Sequence, residues 1–196
     1  QLPLTDNFDT YSTGESAYPD CWSKINTYSS NRPYCNSSNT YPGGVASLYF
    51  YAASATYNIA ITPPFDVTIP INTLQATFMY RAYNSTDYMI VGVMTNPADA
   101  TTFVPVDTVY PNSTASTWVE KEVNFNNYTG NGQYIAFYNG KATTTCYSYI
   151  DNLVIDLIPT CPKPHDVTVT GVTSSSATLS WTAVGSETSW EIAYGA

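Results

Sequence analysis

Tyr147-Ser148-Tyr149-Ile150-Asp151-Asn152-Leu153-Val154-Ile155-Asp156-Leu157-Ile158 decides how the chain is read. The segment is β-branched and aromatic, with no Gly or Pro inside, a composition suited to a packed, pleated strand. In strict alternation Ile150, Val154 and Ile158 fall on one face, and Tyr149, Leu153, Ile155 and Leu157 on the other. Apolar groups on both faces point to a central strand covered on each side. Asp151 is the misfit. A carboxylate there must be paired, hydrogen-bonded, protonated or bound to a cation. With 6 Lys+Arg against 15 Asp+Glu, protein cations are scarce. Two readings stand: a hard metal ion, or a strand-end Asp that accepts backbone N–H groups.

The rest of the chain repeats the β pattern. Leu4 to Asp9 reads as a first strand with Phe8 in the core, and Cys21 to Ile25 as a second with Trp22 in the core. Val45 to Tyr51, Tyr57 to Ile61, Leu74 to Tyr83, Tyr88 to Met94, Phe103 to Val109, Trp118 to Phe125 and Tyr134 to Tyr138 follow, separated by turn residues. Over 74–83, Leu74, Ala76, Phe78, Tyr80 and Ala82 share one face, and Gln75, Thr77, Met79, Arg81 and Tyr83 the other. No segment keeps a helical period over a useful length. The fold class is all-β, a two-sheet sandwich or jelly roll.

Asn26 to Gly44 reads as one long polar loop holding Tyr28, Arg32, Tyr34, Cys35 and Tyr41. Tyrosines beside amides and an arginine are what a sugar site uses, ring faces packing on C–H groups while amides hold hydroxyls. A Tyr-rich surface loop pinned by Cys35 is the plainer alternative. Asp6 and Asp9 are close enough in sequence to line a cation site with Asp151 if the strand end bends; otherwise they are two solvated acids.

Only 11% of residues are charged while 18 are Tyr, so Tyr, Thr, Ser and Asn cover the surface. A net charge of −9 argues against nucleic acid and against an anionic membrane surface, and permits Ca²⁺ and neutral glycans. No apolar run is long enough to span a bilayer. The chain starts at Gln1 without a signal peptide, as a mature or trimmed chain would. Cys21, Cys35, Cys146 and Cys161 are scattered, without a C-x-x-C pair, which suits disulfides in an oxidising compartment with three possible pairings. The lone histidine, His165, sits in a linker, which gives no Ser/His/acid pattern. Asp9 and Asp151 as a glycosidase acid pair is the enzymatic alternative.

Pro159 to His165 reads as a stiff Pro-rich linker, and 166–196 as the start of a second β-sandwich. Its three strands, Asp166 to Val169, Ser176 to Trp181 and Trp190 to Tyr194, are too few to bury a sandwich core unaided.

Five motifs in order carry a resemblance: Thr5-Asp6-Asn7-Phe8-Asp9, Pro19-Asp20-Cys21-Trp22, Trp118-Val119-Glu120-Lys121, Tyr134-Ile135-Ala136-Phe137 and Tyr149-Ile150-Asp151-Asn152-Leu153. Together they resemble the cleaved-adhesin domain, a MAM-like (choice-of-anchor J) jelly roll of the galactose-binding-like kind, over roughly 1–158. Ser176-Ala177-Thr178-Leu179-Ser180-Trp181 resembles the first strands of a fibronectin type III domain. The first resemblance implies non-catalytic adhesion or accessory binding to glycans or extracellular proteins. It places the protein secreted or at a bacterial, outer-membrane-associated surface, on its own or as an accessory module of a secreted protease or glycoside hydrolase. It also implies a structural calcium, for which Asp6, Asp9 and Asp151 are the candidate ligands here. The Asp-Cys-Trp and Cys-Pro-x-Pro pair implies a Cys21–Cys161 bridge, leaving Cys35 with Cys146. A purely structural spacer is the remaining alternative.

Overall fold

The computed structural model describes residues 1–112, 114, 116–140, 144–160, 164–183 and 188–192. The chain divides into two compact units, Gln1–Leu157 and Ile158–Ala196.

The first unit is a sandwich of two antiparallel sheets. Its strands are β1 (Leu4–Asp6), β2 (Ser23–Asn26), β3 (Tyr34–Asn36), β4 (Ser47–Ala52), β5 (Tyr57–Ile61), β6 (Leu74–Ala82), β7 (Met89–Met94), β8 (Val104–Val109), β9 (Val119–Asn124), β10 (Tyr134–Gly140) and β11 (Cys146–Leu157). One sheet runs β3-β4-β11-β6-β9, with β1 added on β11; the other runs β2-β5-β10-β7-β8. β3 is a finding against expectation: the stretch 26–44 is not one loop, because Tyr34–Asn36 pairs with β4.

Between the sheets lies the core. Leu48, Phe50, Phe78, Ile150, Leu153 and Ile155 meet Ala60, Val91, Val93, Ile135 and Phe137, all buried. Phe78 meets Phe137 edge-on at 5.4 Å across the gap, a favoured aromatic geometry. Phe8 is fully buried and Trp22 packs beside it, edge-on at 6.0 Å. β6 alternates along its length as its pattern requires, its even-numbered residues buried.

β11 is central, but it does not keep strict alternation. Its register on β6 shifts between Asp151 and Val154, and Asn152 takes a left-handed φ of 46°. This is a β-bulge, which inserts a residue and changes which face later side chains occupy. Ile150, Leu153 and Ile155 therefore all reach the core, while Val154 and Leu157 are exposed. The edge of β11 facing β4 is shared: β4 pairs with Cys146–Ile150, and β1 pairs with Leu153–Ile155. The bulge lies at the junction between the two.

In the second unit β12 (His165–Thr170) and β13 (Thr178–Thr182) form an antiparallel pair. Residues 190–192 are not strand, against the reading of a third strand there; Tyr194 lies outside the described residues. Trp181 meets Trp190 edge-on at 5.4 Å, while Val167, Val169, Leu179 and Ile192 remain exposed. Among the described residues, no helix is long and apolar enough to cross a membrane.

Candidate functional site

Tyrosine is concentrated on the outer face of the β3-β4-β11-β6-β9 sheet. In β4, Leu48, Phe50 and Ala52 point into the core, so Tyr49 and Tyr51 point out. In β11, Cys146, Ser148 and Ile150 are buried, so Tyr147 and Tyr149 point out. Register aligns these residues across the strands. Tyr34 lies opposite Tyr49, Tyr49 opposite Tyr149, and Tyr149 opposite Arg81. One step along, Tyr51 lies opposite Tyr147, and the Tyr83 N–H donates to the Tyr147 carbonyl at 3.1 Å.

Two rows result. In the inner row Tyr34 meets Tyr49 edge-on at 5.3 Å, and Tyr49 stacks on Tyr149 at 4.9 Å. In the outer row Tyr28 meets Tyr51 at 4.7 Å, Tyr51 meets Tyr147 at 4.6 Å, and Tyr147 meets Tyr83 at 5.6 Å. The inner row is closed over: Tyr34 and Tyr149 are buried. The outer row is open; Tyr28, Tyr51 and Tyr147 are half-buried and Tyr83 is 64% exposed. Arg32 lies over the Tyr34 ring at 4.5 Å and the Tyr49 ring at 5.2 Å, and Arg81 over the Tyr149 ring at 5.4 Å.

Of the four residues picked from the 26–44 stretch, Tyr28, Arg32 and Tyr34 come together at the β3–β4 side of this face. Tyr41 sits at the other side, edge-on to Trp118 at 6.0 Å. Trp118 Nε1 donates to the Thr40 carbonyl at 3.0 Å and Asn39 Nδ2 to the Tyr149 hydroxyl at 2.9 Å, so residues 39–41 roof the end of the inner row. Sequence reasoning missed Tyr49, Tyr51, Tyr83, Tyr147, Tyr149, Arg81 and Trp118. The signal was present in the Tyr-x-Tyr pairs 49/51 and 147/149, since residues two apart in a strand share a face.

Asp151 lies beneath that roof, at the junction on β11, and Asp6 stands opposite Leu153 on β1. Where β4 ends and β1 begins the ladder stops, and backbone N–H groups need other acceptors. Asp9 Oδ1 accepts from the Val45 N–H at 2.6 Å and the Ala46 N–H at 2.9 Å. Asp151 Oδ2 accepts from the Tyr41 N–H at 3.0 Å, and its Oδ1 from the Asn152 N–H at 2.7 Å. Asp6 accepts from the Phe8 N–H at 2.9 Å and the Tyr11 hydroxyl at 3.0 Å. Asp151 is 1% exposed. Burial pushes its carboxyl up to about 6; the amide bonds oppose this, and the neighbouring Asp9 and Asp6 charges add to it. Asp6 is raised as well, chiefly by burial. These acids therefore behave as amide acceptors. Among the described residues no group of three His, Cys, Asp or Glu is placed to hold a metal ion in this arrangement.

The implied bridge between Cys35 and Cys146 is corrected by the register. Cys35 pairs with Leu48 and Cys146 with Ala52, on opposite edges of β4. At ~3.3 Å per residue and ~4.8 Å per strand their Cα atoms are roughly 16 Å apart, against ~7 Å at most for a disulfide. The Cys146 thiol instead donates to Asn139 Oδ1 at 3.1 Å, and burial pushes the Cys35 thiol up to about 12. Cys21 is exposed; Cys161, its implied partner, lies outside the described residues.

No known family profile matches this chain, and no curated protein matches it. Among solved structures it is similar to the K2 cleaved adhesin domain of Lys-gingipain, with a TM-score of 0.62 and 18% identity over 80% of this chain and 100% of that one. The K1 cleaved adhesin domain of Lys-gingipain from Porphyromonas gingivalis W83 gives a TM-score of 0.60 and 17% identity over 81% of this chain and 100% of that one. A family 30 carbohydrate-binding module gives 0.56 and 9% over 85% and 93%. At these identities the likeness is one of fold: the chain has the jelly-roll β-sandwich of adhesin domains and carbohydrate-binding modules.

Proposed function

We propose that the first unit is a non-catalytic binding module for glycans, and that the ligand lies across the outer tyrosine row of the β3-β4-β11-β6-β9 sheet. The observation that carries this is the open line Tyr28–Tyr51–Tyr147–Tyr83, with ring-to-ring steps of 4.7, 4.6 and 5.6 Å. Sugar rings pack their C–H faces on such rings, and the tyrosine hydroxyls and nearby amides meet sugar hydroxyls. Four rings at the ~4.8 Å spacing of adjacent strands span about 14 Å, a length suited to a short oligosaccharide. The fold supports the same reading, since carbohydrate-binding modules and adhesin domains share it. Such a face would serve a surface adhesin and an accessory module of a secreted enzyme alike.

Calcium is outside this reading. An ion at Asp6, Asp9 and Asp151 would use the carboxylate lone pairs that their hydrogen bonds leave over.

Screening the protein on a glycan array tests the proposal, with Tyr51→Ala and Tyr147→Ala variants run in parallel. Binding by the wild type and its loss in both variants is expected. Wild-type binding that both variants retain would place the site elsewhere. Hydrolysis of chromogenic sugars would overturn the non-catalytic part.

A further inference from the structure

We infer that the glycan held by this face is anionic, carrying carboxylate or sulfate groups gripped by Arg32 and Arg81. The inference rests on the glycan-binding reading and adds the chemical class of the ligand.

The chain has a net charge of −9 and 6 Lys+Arg in 196 residues. Its only two arginines both stand on the tyrosine face, although they come from β6 and from the loop before β3. They converge: Tyr49 and Tyr149 are stacked neighbours, and each lies beneath one of the guanidinium groups. Burial raises the Tyr149 hydroxyl, and the Arg81 and Arg32 charges oppose that shift.

Their hydrogen bonding leaves capacity. A guanidinium stacked on a ring uses its face and keeps its N–H groups in the plane, the geometry that takes a carboxylate or sulfate on two points. Arg81 donates from Nε to the Ser116 carbonyl at 2.8 Å, which fixes its orientation. It has no acidic partner within 4 Å among the described residues, where Arg32–Glu15 at 3.0 Å is the ion pair found. Arg32 Nε is buried without a hydrogen-bond partner. The outer row runs alongside: Tyr83 is two residues from Arg81, just past the end of β6.

Glu15 holds Arg32 Nη1 at 3.0 Å, so a ligand anion shares that guanidinium with it, while no acid pairs with Arg81 among the described residues. Asp151 is buried against the Tyr41 and Asn152 amides, and Glu120 lies on β9 opposite Met79, two positions along from Arg81. The overall negative charge is screened beyond ~8–10 Å at physiological salt, so the two guanidinium groups dominate for a ligand in contact with the rings.

The test uses the whole chain, binding galacturonic acid oligosaccharides, their methyl esters, sulfated dextran oligosaccharides and unsulfated dextran oligosaccharides, alongside the glycan array. The array is expected to return mainly carboxylated or sulfated glycans, and the charged probe of a pair to bind at least tenfold tighter than its neutral counterpart. Which pair responds separates carboxylate from sulfate. Affinity should fall with added salt, and Arg81→Gln should weaken binding roughly tenfold, as expected for one charge-assisted contact. Salt and esterification act on the wild-type protein, so the test survives a variant that misfolds. Equal binding of neutral glycans, insensitive to salt and to Arg81→Gln, would overturn the anionic class and leave the glycan reading standing. Binding to no glycan of either kind would overturn both.

Discussion

Tyr49 and Tyr149 stack with ring centroids 4.9 Å apart and planes within 21° of each other, although 100 positions separate them in the chain. The contact exists because β4 and β11 are antiparallel neighbours in a register that places the two residues directly opposite. The tyrosine face is assembled by sheet topology from short Tyr-x-Tyr pairs on separate strands.

Tyr147, like Tyr51, is flanked on both sides in the outer row, by Tyr51 and Tyr83. Replacing it with Ala should weaken glycan binding by about 1.4 kcal/mol or more, a factor of ~10 in Kd. Because the ring is half-buried outside the core, loss of stability should stay near 1 kcal/mol. Titration calorimetry and urea unfolding on the same sample check both values; a large stability loss with unchanged affinity would reverse the assignment.

Asp151 makes the stability of the fold depend on pH in a defined direction. Its folded-state value, raised to about 6 from 3.8, lies above the unfolded one. Its favourable contribution is therefore complete below about pH 4 and lost as pH rises through 6. A rise of about two units corresponds to about 3 kcal/mol. Asp6, also raised, acts with the same sign. The stability of Asp151→Asn relative to wild type should improve by about 3 kcal/mol between pH 4 and pH 7.5, since any constant cost of the lost amide bond cancels in the comparison. A flat difference across that range would show that the carboxyl is not perturbed.

Asp9 fastens the segment that leads into β4. Asp9→Ala strips the acceptor from the Val45 and Ala46 N–H groups and should cost about 2 kcal/mol. Hydrogen exchange at those two amides should speed up, with smaller changes in β7 and β10. If the acids act as amide acceptors, adding calcium or a chelator should leave Tm unchanged at pH 7. A calcium-dependent rise in Tm would show that an ion binds the native state.

The register also bears on the thiols. Peptide mapping under non-reducing conditions should find no bridge joining Cys35 to Cys146, and Cys35 should be alkylated only after unfolding. A cross-linked peptide containing both residues would contradict the strand order β3-β4-β11.

Much of the fold was legible in residue patterns. Leu74 to Tyr83 shows its buried face directly, and the apolar stretch from Tyr147 did mark the central strand. The bulge at Asn152 was not legible, because a left-handed Asn inside a β-branched run leaves no mark in composition, and it shifts every later residue to the other face. β3 was hidden because three residues, Tyr34–Asn36, form a strand only by adding to β4. The partners of the three acids are mostly backbone amides, which no sequence displays. The tyrosine face was concealed for a related reason: Tyr49, Tyr51, Tyr147 and Tyr149 suit a buried strand as well as an exposed one, and only the register shows that they stand on the outside.

The most direct test follows the tyrosine ring resonances by NMR during titration with a bound glycan. The ring signals of Tyr28, Tyr51, Tyr83 and Tyr147 should shift together with the same Kd, while those of Tyr57, Tyr134 and Tyr138 on the opposite sheet stay in place. Shifts confined to the second group, or to neither, would contradict binding on the β3-β4-β11-β6-β9 face.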